Sequence, residues 1–413
     1  MTSRERVRAV LNHEKTDQLV IDFASHRSSG MGMESYNKLK EYLGYSKETS
    51  KLYDIMQQLA FPEPFMVERF GGDILQVRQL KASYGIRTDR WKCGVLPCGD
   101  LSMVPYDFNP VVNEDGDFEI RDERGVCIAK RPKTGIYYDN VNHFLNGVES
   151  IEKLEEKMVL PQITEEELTF LEVQAKDLYY NTDKALLVHV GCSVFEKGQQ
   201  DFGFEDFYYN LAGEPELVHY WADKITDAQC VVLDKIIDRI GQYVDILMFG
   251  GDDLGTQIAP QISAEMYREM IKPYHKKIYG FVHEKSSKLK VALHSCGSIK
   301  ELIPDLIEAG VDVLNPVQIS AKGMDPRELK EKFGKSIVFL GGGADMQGFV
   351  NNTEDLDAIY RHVRELLDIF APGGNYIFSQ VHNILDNVSP EKVCTIFQAA
   401  MDYRDEHRET SKA

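Results

Sequence analysis

The sequence predicts a single (β/α)8 barrel, the TIM-barrel class of α/β fold, spanning residues 1–413 with a β-rich insertion over residues 85–146. Three observations carry that prediction. Eight short apolar runs recur along the chain, the segments between many of them show helical apolar spacing, and one stretch breaks the rhythm with turn residues. Near-continuous apolar strands separated by amphipathic segments indicate a parallel sheet buried on both faces. Eight of them suggest closure into a barrel rather than an open sheet. A chain of 413 residues, 43% hydrophobic and 10% aromatic, is long enough for one such barrel with insertions.

The elements follow in order. The start, Thr2-Ser3-Arg4-Glu5-Arg6-Val7, is charged and amphipathic and lacks the apolar core of a secretory leader. No stretch approaches the ~18 apolar residues of a membrane span, so a soluble, cytoplasmic protein is expected. Strands are expected at residues 19–23, 73–77, 186–191, 245–250, 291–294, 311–315, 337–341 and 376–379. Between 85 and 146, Gly94, Pro97, Gly99, Pro105, Pro110, Gly116 and Gly125 punctuate short segments such as Asp117-Phe118-Glu119-Ile120. That is hairpin chemistry, in a piece too long for an ordinary barrel loop, and it is expected to cover one side of the barrel mouth. A charged helix follows at 149–158, then a solvated linker at 161–167. Residues 214–240 and 263–286 carry helical spacing, and 304–309 ends at Gly310, a good helix C-cap. Thr353-Glu354-Asp355 before Leu356 marks another helix start.

Composition excludes several functions. A net charge of -19 argues against nucleic acid, whose phosphates need a Lys/Arg surface. Seven scattered cysteines form no disulfide framework and fit a reducing compartment. There is no G-x-S-x-G elbow and no C-x-x-C pair, and Cys93 and Cys98 flank a Pro-containing loop. Gly341-Gly342-Gly343 lacks both the dinucleotide fingerprint and a Walker lysine. The tyrosines 179, 180, 208 and 209 read as helix packing or rim residues rather than a cofactor box.

The chemistry concentrates in Val291-Ala292-Leu293-His294-Ser295-Cys296-Gly297. Side chains on a strand alternate faces, so His294 and Cys296 point the same way. A nitrogen and a soft sulfur on one face are two ligands for a borderline metal such as zinc, although both residue types also occur as plain core. His382, after the last strand, can reach the same rim and is the candidate third ligand. Barrel active sites gather at the C-terminal ends of the strands, which selects the other candidates. Asp252 and Asp253, in Gly250-Gly251-Asp252-Asp253, are candidate catalytic carboxylates, unless one of them caps the next helix. Gln318, Asp345 and Gln347, at the following exits, are candidate substrate-binding residues.

The order of these signposts, from Thr2-Ser3-Arg4-Glu5-Arg6-Val7 through Gly341-Gly342-Gly343-Ala344-Asp345-Met346-Gln347 to Gly373-Gly374-Asn375-Tyr376-Ile377-Phe378, resembles the uroporphyrinogen decarboxylase superfamily. Within it, the chain resembles the corrinoid-linked methyltransferases. That resemblance implies Zn2+ held by an H-x-C pair, matched by His294 and Cys296, and by a later ligand after the final strand. The later ligand is usually Cys in the thiol-methylating enzymes, and His382 stands in its place here. With one thiolate the centre is harder and more Lewis-acidic, which turns the expectation toward ether oxygens and amines. The implied reaction moves a methyl group between a small methylated compound and cobalamin. The corrinoid is expected on a separate partner protein, because this chain has no D-x-H-x-x-G signature. Two alternatives stand beside it: a decarboxylase-type carboxy-lyase, whose carboxylate-gripping Arg-rich segment is represented only by Arg27, and a non-catalytic binding barrel.

Overall fold

A computed structural model of the protein describes residues 1–81, 83–96, 99–191 and 193–408. Eight strands form one sheet: β1 (Val20–Ile21), β2 (Ile74–Val77), β3 (Ala185–Val190), β4 (Ile246–Phe249), β5 (Lys290–His294), β6 (Val313–Asn315), β7 (Val338–Leu340) and β8 (Tyr376–Phe378). They run β1-β8-β7-β6-β5-β4-β3-β2, every neighbouring pair parallel. β1 and β2 meet where the Asp73 N–H donates to the Ile21 carbonyl at 2.7 Å, completing the (β/α)8 barrel. Six fall within the apolar runs of the sequence, and β3 and β5 each begin one residue earlier, at Ala185 and Lys290.

Alternation along the strands explains those runs. Ala185, Leu187, Ile246, Met248, Ala292, Val313, Val338, Leu340 and Ile377 form one buried cluster inside the barrel, while neighbours such as Leu186, Val188, Leu247 and Val291 join the larger core beneath the helices. Both faces are dry through these layers, so the strand positions within them are apolar. Val7, Val10 and Leu11 of the first helix, Ser3–Leu11, belong to the inner cluster and plug its N-terminal end.

An ion-pair network fastens that plug. Asp73 accepts hydrogen bonds from Ser3 Oγ at 2.7 Å, Arg6 Nη1 at 2.8 Å and the Ile21 N–H at 2.9 Å. Removing one partner of a buried ion pair leaves the other uncompensated, at about 3–5 kcal/mol. Asp73→Ala is expected to lose stability on that scale, read as a fall in the urea midpoint. An unchanged midpoint would mean that barrel closure at this end does not depend on the carboxylate.

Several boundaries differ from the sequence expectation. The linker is shorter than 161–167, because Thr164 caps a helix over Glu165–Asn181 through a box with Glu167. The 263–286 helix is continuous but contains a π-turn at Tyr267–Ile271 just before Pro273. Proline supplies no N–H and crowds the preceding turn, and the widened turn accommodates it. The β-rich segment contributes to two four-stranded sheets. One is antiparallel and uses Val111–Val112, Phe118–Arg121, Cys127–Arg131 and Asp139–Asn140. The other joins Trp91–Val95 and Leu101–Pro105 to Lys51–Asp54 and Leu59–Phe61, two earlier strands that the sequence analysis did not find. Pro97 and Cys98 lie outside the described residues. No helix among the described residues is long and apolar enough to cross a membrane.

Candidate metal centre at the barrel mouth

The inward-facing strand positions change character toward the C-terminal end of the barrel. Above the apolar layers stand Asp22, Gln76, His189, His294 and Asn315, each at or just beyond a strand end. The register pairs His294 with Asn315 across β5 and β6. This brings His294 Nδ1 within 2.9 Å of Asn315 Oδ1, while Asn315 Nδ2 donates to the Leu340 carbonyl at 3.1 Å. With its amide N–H committed, Asn315 offers only its oxygen, so the His294 proton sits on Nδ1 and Nε2 is bare.

The same device recurs after β8. His382 Nδ1 faces Asn383 Oδ1 at 2.9 Å, and that oxygen also accepts from Tyr137 Oη at 2.8 Å, so His382 too presents a bare Nε2. Burial, reinforced by the nearby His294, pushes His382 down to about 4 and keeps its ring neutral. Cys296 Sγ lies 3.4 Å from His294 Nε2. Ligand atoms of His294, Cys296 and His382 all fall within 4.8 Å of one another.

This donor set fits a borderline cation. The 3.4 Å separation is about what two ligands with ~2.0–2.3 Å bonds to one tetrahedral ion require. Two imidazoles and one thiol also leave a fourth position open, as catalytic zinc sites do. Burial and the Asp253 carboxylate hold the Cys296 thiol well above its ordinary value, a situation that a bound cation reverses.

The two adjacent acids have different surroundings. Asp253 Oδ1 accepts the Cys296 N–H at 2.7 Å and lies 3.4 Å from His294 Nε2, beside the cluster. Asp252 turns away from the cavity and is buried. It accepts N–H bonds from Val194 at 2.9 Å and Glu196 at 2.8 Å, and meets His275 Nε2 at 2.6 Å. Gly251 allows this divergence at φ +69, and a Cβ there would lie 2.1 Å from Glu196 Oε2. Burial, then Asp253 and Asp252, push Glu196 up to about 8.

A cavity of about 470 Å3 opens beside the cluster, lined by loops after β4 to β8. Gln318 and Gln347 line it. Gln318 Oε1 accepts the Gly297 N–H at 2.6 Å and its Nε2 donates to Gln347 Oε1 at 2.8 Å. Asp345 does not line it. Its carboxylate folds back onto the Gly348 and Phe349 N–H groups at 2.9 and 3.2 Å and closes its own loop, the turn role to which a short acidic side chain is suited. Met346, Leu385 and Val388 supply apolar wall, and Tyr137 reaches the cavity from the β-rich segment. Of the tyrosines 179, 180, 208 and 209, Tyr208 alone connects with this region, bonding Gln261, which in turn donates to the Asp253 carbonyl. Asn315, Asn383, Tyr137, Glu196 and His275 were not singled out by sequence reasoning. An Asn at a strand end beside a suspected ligand was the one available signal.

Fold and site together define a parallel barrel with a mixed imidazole and thiol cluster at its mouth. The family model described as uroporphyrinogen decarboxylase (URO-D) matches residues 191–403, and the chain belongs to that family. The match covers β4 to β8 and the whole cluster. No curated protein matches the chain. Similar solved structures include the GH53 catalytic domain of Ignisphaera aggregans, at 12% identity over 92% of this chain and 99% of that one, with a TM-score of 0.35. Another is PbGH5A, a glycoside hydrolase family 5 enzyme from Prevotella bryantii B14, at 12% identity over 64% of this chain and 94% of that one, with a TM-score of 0.27.

Proposed function

We propose that the protein is a zinc-dependent methyltransferase that moves a methyl group between a small methylated compound, a methoxylated aromatic or a methylated amine, and the cobalamin of a separate corrinoid protein. The observation that carries this reading is the convergence of His294, Cys296 and His382 beside a cavity of about 470 Å3. When bound, zinc supplies Lewis acidity toward the oxygen or nitrogen that gives up the methyl group.

The chain's own residues do the rest. Asn315 and Asn383 each engage the Nδ1 of one imidazole, which leaves Nε2 free on both and turns that of His294 toward Cys296. Asp253 places an acceptor oxygen against the cluster, where it can hold a proton on the substrate heteroatom or orient a water. Gln318 and Gln347 offer amides from one wall, while Met346, Leu385 and Val388 contact the apolar part of the substrate. Tyr137 narrows the opening and excludes water.

The family takes its name from a carboxy-lyase, which makes decarboxylation the second reading. Against it stands Arg27, the single arginine of its segment, whose Nε is already paired with Asp54 Oδ2 at 2.5 Å. A substrate bearing several carboxylates finds little free positive charge there. The test is incubation of the zinc-loaded protein with a reduced corrinoid protein and a panel of methoxylated aromatics and methylated amines. The expected result is conversion of the cobalamin absorption spectrum to the methylated form with at least one panel member. An unchanged spectrum together with metal-free decarboxylation of uroporphyrinogen would replace this reading by the second.

A further inference from the structure

His382 stands on left-handed backbone, at φ +60, a region that a residue with a Cβ holds only where its neighbours impose it. Its ring is held by Asn383, a residue 3% exposed whose amide has three partners. Asn383 Oδ1 accepts from His382 Nδ1 at 2.9 Å and from Tyr137 Oη at 2.8 Å, and Asn383 Nδ2 donates to Gln57 Oε1 at 3.2 Å. Gln57 and Tyr137 come from outside the barrel. Gln57 belongs to the turn between Lys51–Asp54 and Leu59–Phe61, and Tyr137 to the connection between Cys127–Arg131 and Asp139–Asn140. Both are anchored. Asp54, buried, accepts the Gln57 N–H at 2.7 Å and pairs with Arg27, while the Tyr138 N–H donates to the Met56 carbonyl at 2.9 Å and ties the two segments together beside the residues they present.

A side-chain amide carries an acceptor and a donor of nearly the same shape, so its partners decide which way it faces. Turned over, Asn383 would offer an N–H to His382 Nδ1. The ring proton would then move to Nε2 and close the one nitrogen left for a metal. Two contacts work against that turn. Gln57 Oε1 takes only a donor, which selects Nδ2, and Tyr137 Oη, by donating, selects Oδ1. Both favour the same orientation of the amide.

We propose that Gln57 and Tyr137 are positioning residues of the metal centre, which together hold the Asn383 amide in the orientation that keeps the His382 proton on Nδ1 and leaves Nε2 bare. The inference rests on the metal centre read above and adds to it a layer of control from outside the barrel. It gives the β-rich segment a task at the mouth beyond covering it. It also accounts for Arg27, whose charge is spent on the Asp54 carboxylate that fixes the Gln57 turn.

Two measurements on the full-length protein test this. One is the His382 tautomer in the metal-free state, from nitrogen NMR of isotope-labelled histidine side chains with His382→Ala for assignment. The other is zinc affinity by competition with a chelator. The parent is expected to carry its proton on Nδ1. Gln57→Met, which keeps the length of the side chain and removes its acceptor, and Tyr137→Phe should each shift the ring toward the Nε2–H form and weaken zinc by ~10-fold or more, as loss of an outer hydrogen-bond partner does. Gln57→Glu, which retains an acceptor and has no donor to turn inward, should keep the Nδ1–H form and at least the parental affinity. An Nε2–H ring in the parent, an unchanged ring in both Gln57→Met and Tyr137→Phe, or the same shift in Gln57→Glu as in Gln57→Met would each overturn the proposal. The expected tautomers in a parent that binds no zinc would uphold it and overturn the metal reading instead.

Discussion

Asp252→Ala is expected to lower the unfolding free energy by about 3–5 kcal/mol, among the largest single-residue losses in this chain. The carboxylate is the common acceptor for two backbone N–H groups at the start of the helix Phe195–Phe202 and for His275, and its removal strands all three donors in the core. His275 is itself fixed by Tyr267 Oη at 3.0 Å from its Nδ1, so the damage extends to the π-turn. Urea unfolding followed by circular dichroism measures this. A variant of parental stability that has lost turnover would show that the carboxylate works in the cavity after all. The sequence favoured that outcome by placing both acids at the mouth; the structure assigns the buried role to Asp252 and the cluster-facing one to Asp253.

Cys296→Ser and His382→Ala should each release the metal and abolish methyl transfer. The loss of affinity is expected to exceed the ~10–100-fold typical of removing an outer hydrogen-bond partner, which is in turn the size expected for Asn315→Ala and Asn383→Ala. Equilibrium dialysis with metal analysis separates the two classes. Both variants of the first class retaining one equivalent of zinc would sink the three-ligand site. Equal effects in all four would instead indicate general loosening of the mouth.

The eight strands were legible because burial on both faces leaves little choice of residue. Runs such as Leu186 to Val190 carry the signal without help from any partner. Lys51–Asp54 and Leu59–Phe61 were not legible, since each is short and they become strands only by pairing with each other and, for Lys51–Asp54, with Leu101–Pro105 about fifty residues on. His294 and Cys296 could be placed on one face from strand alternation alone, and His382 from its position after the last run. What alternation cannot give is direction within a turn. The choice between Asp252 and Asp253 depends on the positive φ of Gly251, and Asp345 depends on where the loop to Phe349 folds. Both are decided by tertiary closure rather than by local sequence.

The apolar plug inside the barrel has a consequence for engineering. Layers from Val7 to Leu340 separate the Asp73 network from the mouth, and the two share no hydrogen-bond partner. Substitutions at well-separated sites without shared partners add nearly independently. The closed end can therefore serve as a reservoir of stability margin. A strengthening change there raises the whole barrel without touching the pocket, and a destabilising but useful change of specificity at the rim becomes tolerable. Directed variation of substrate range in this chain is best begun at the end where no substrate goes.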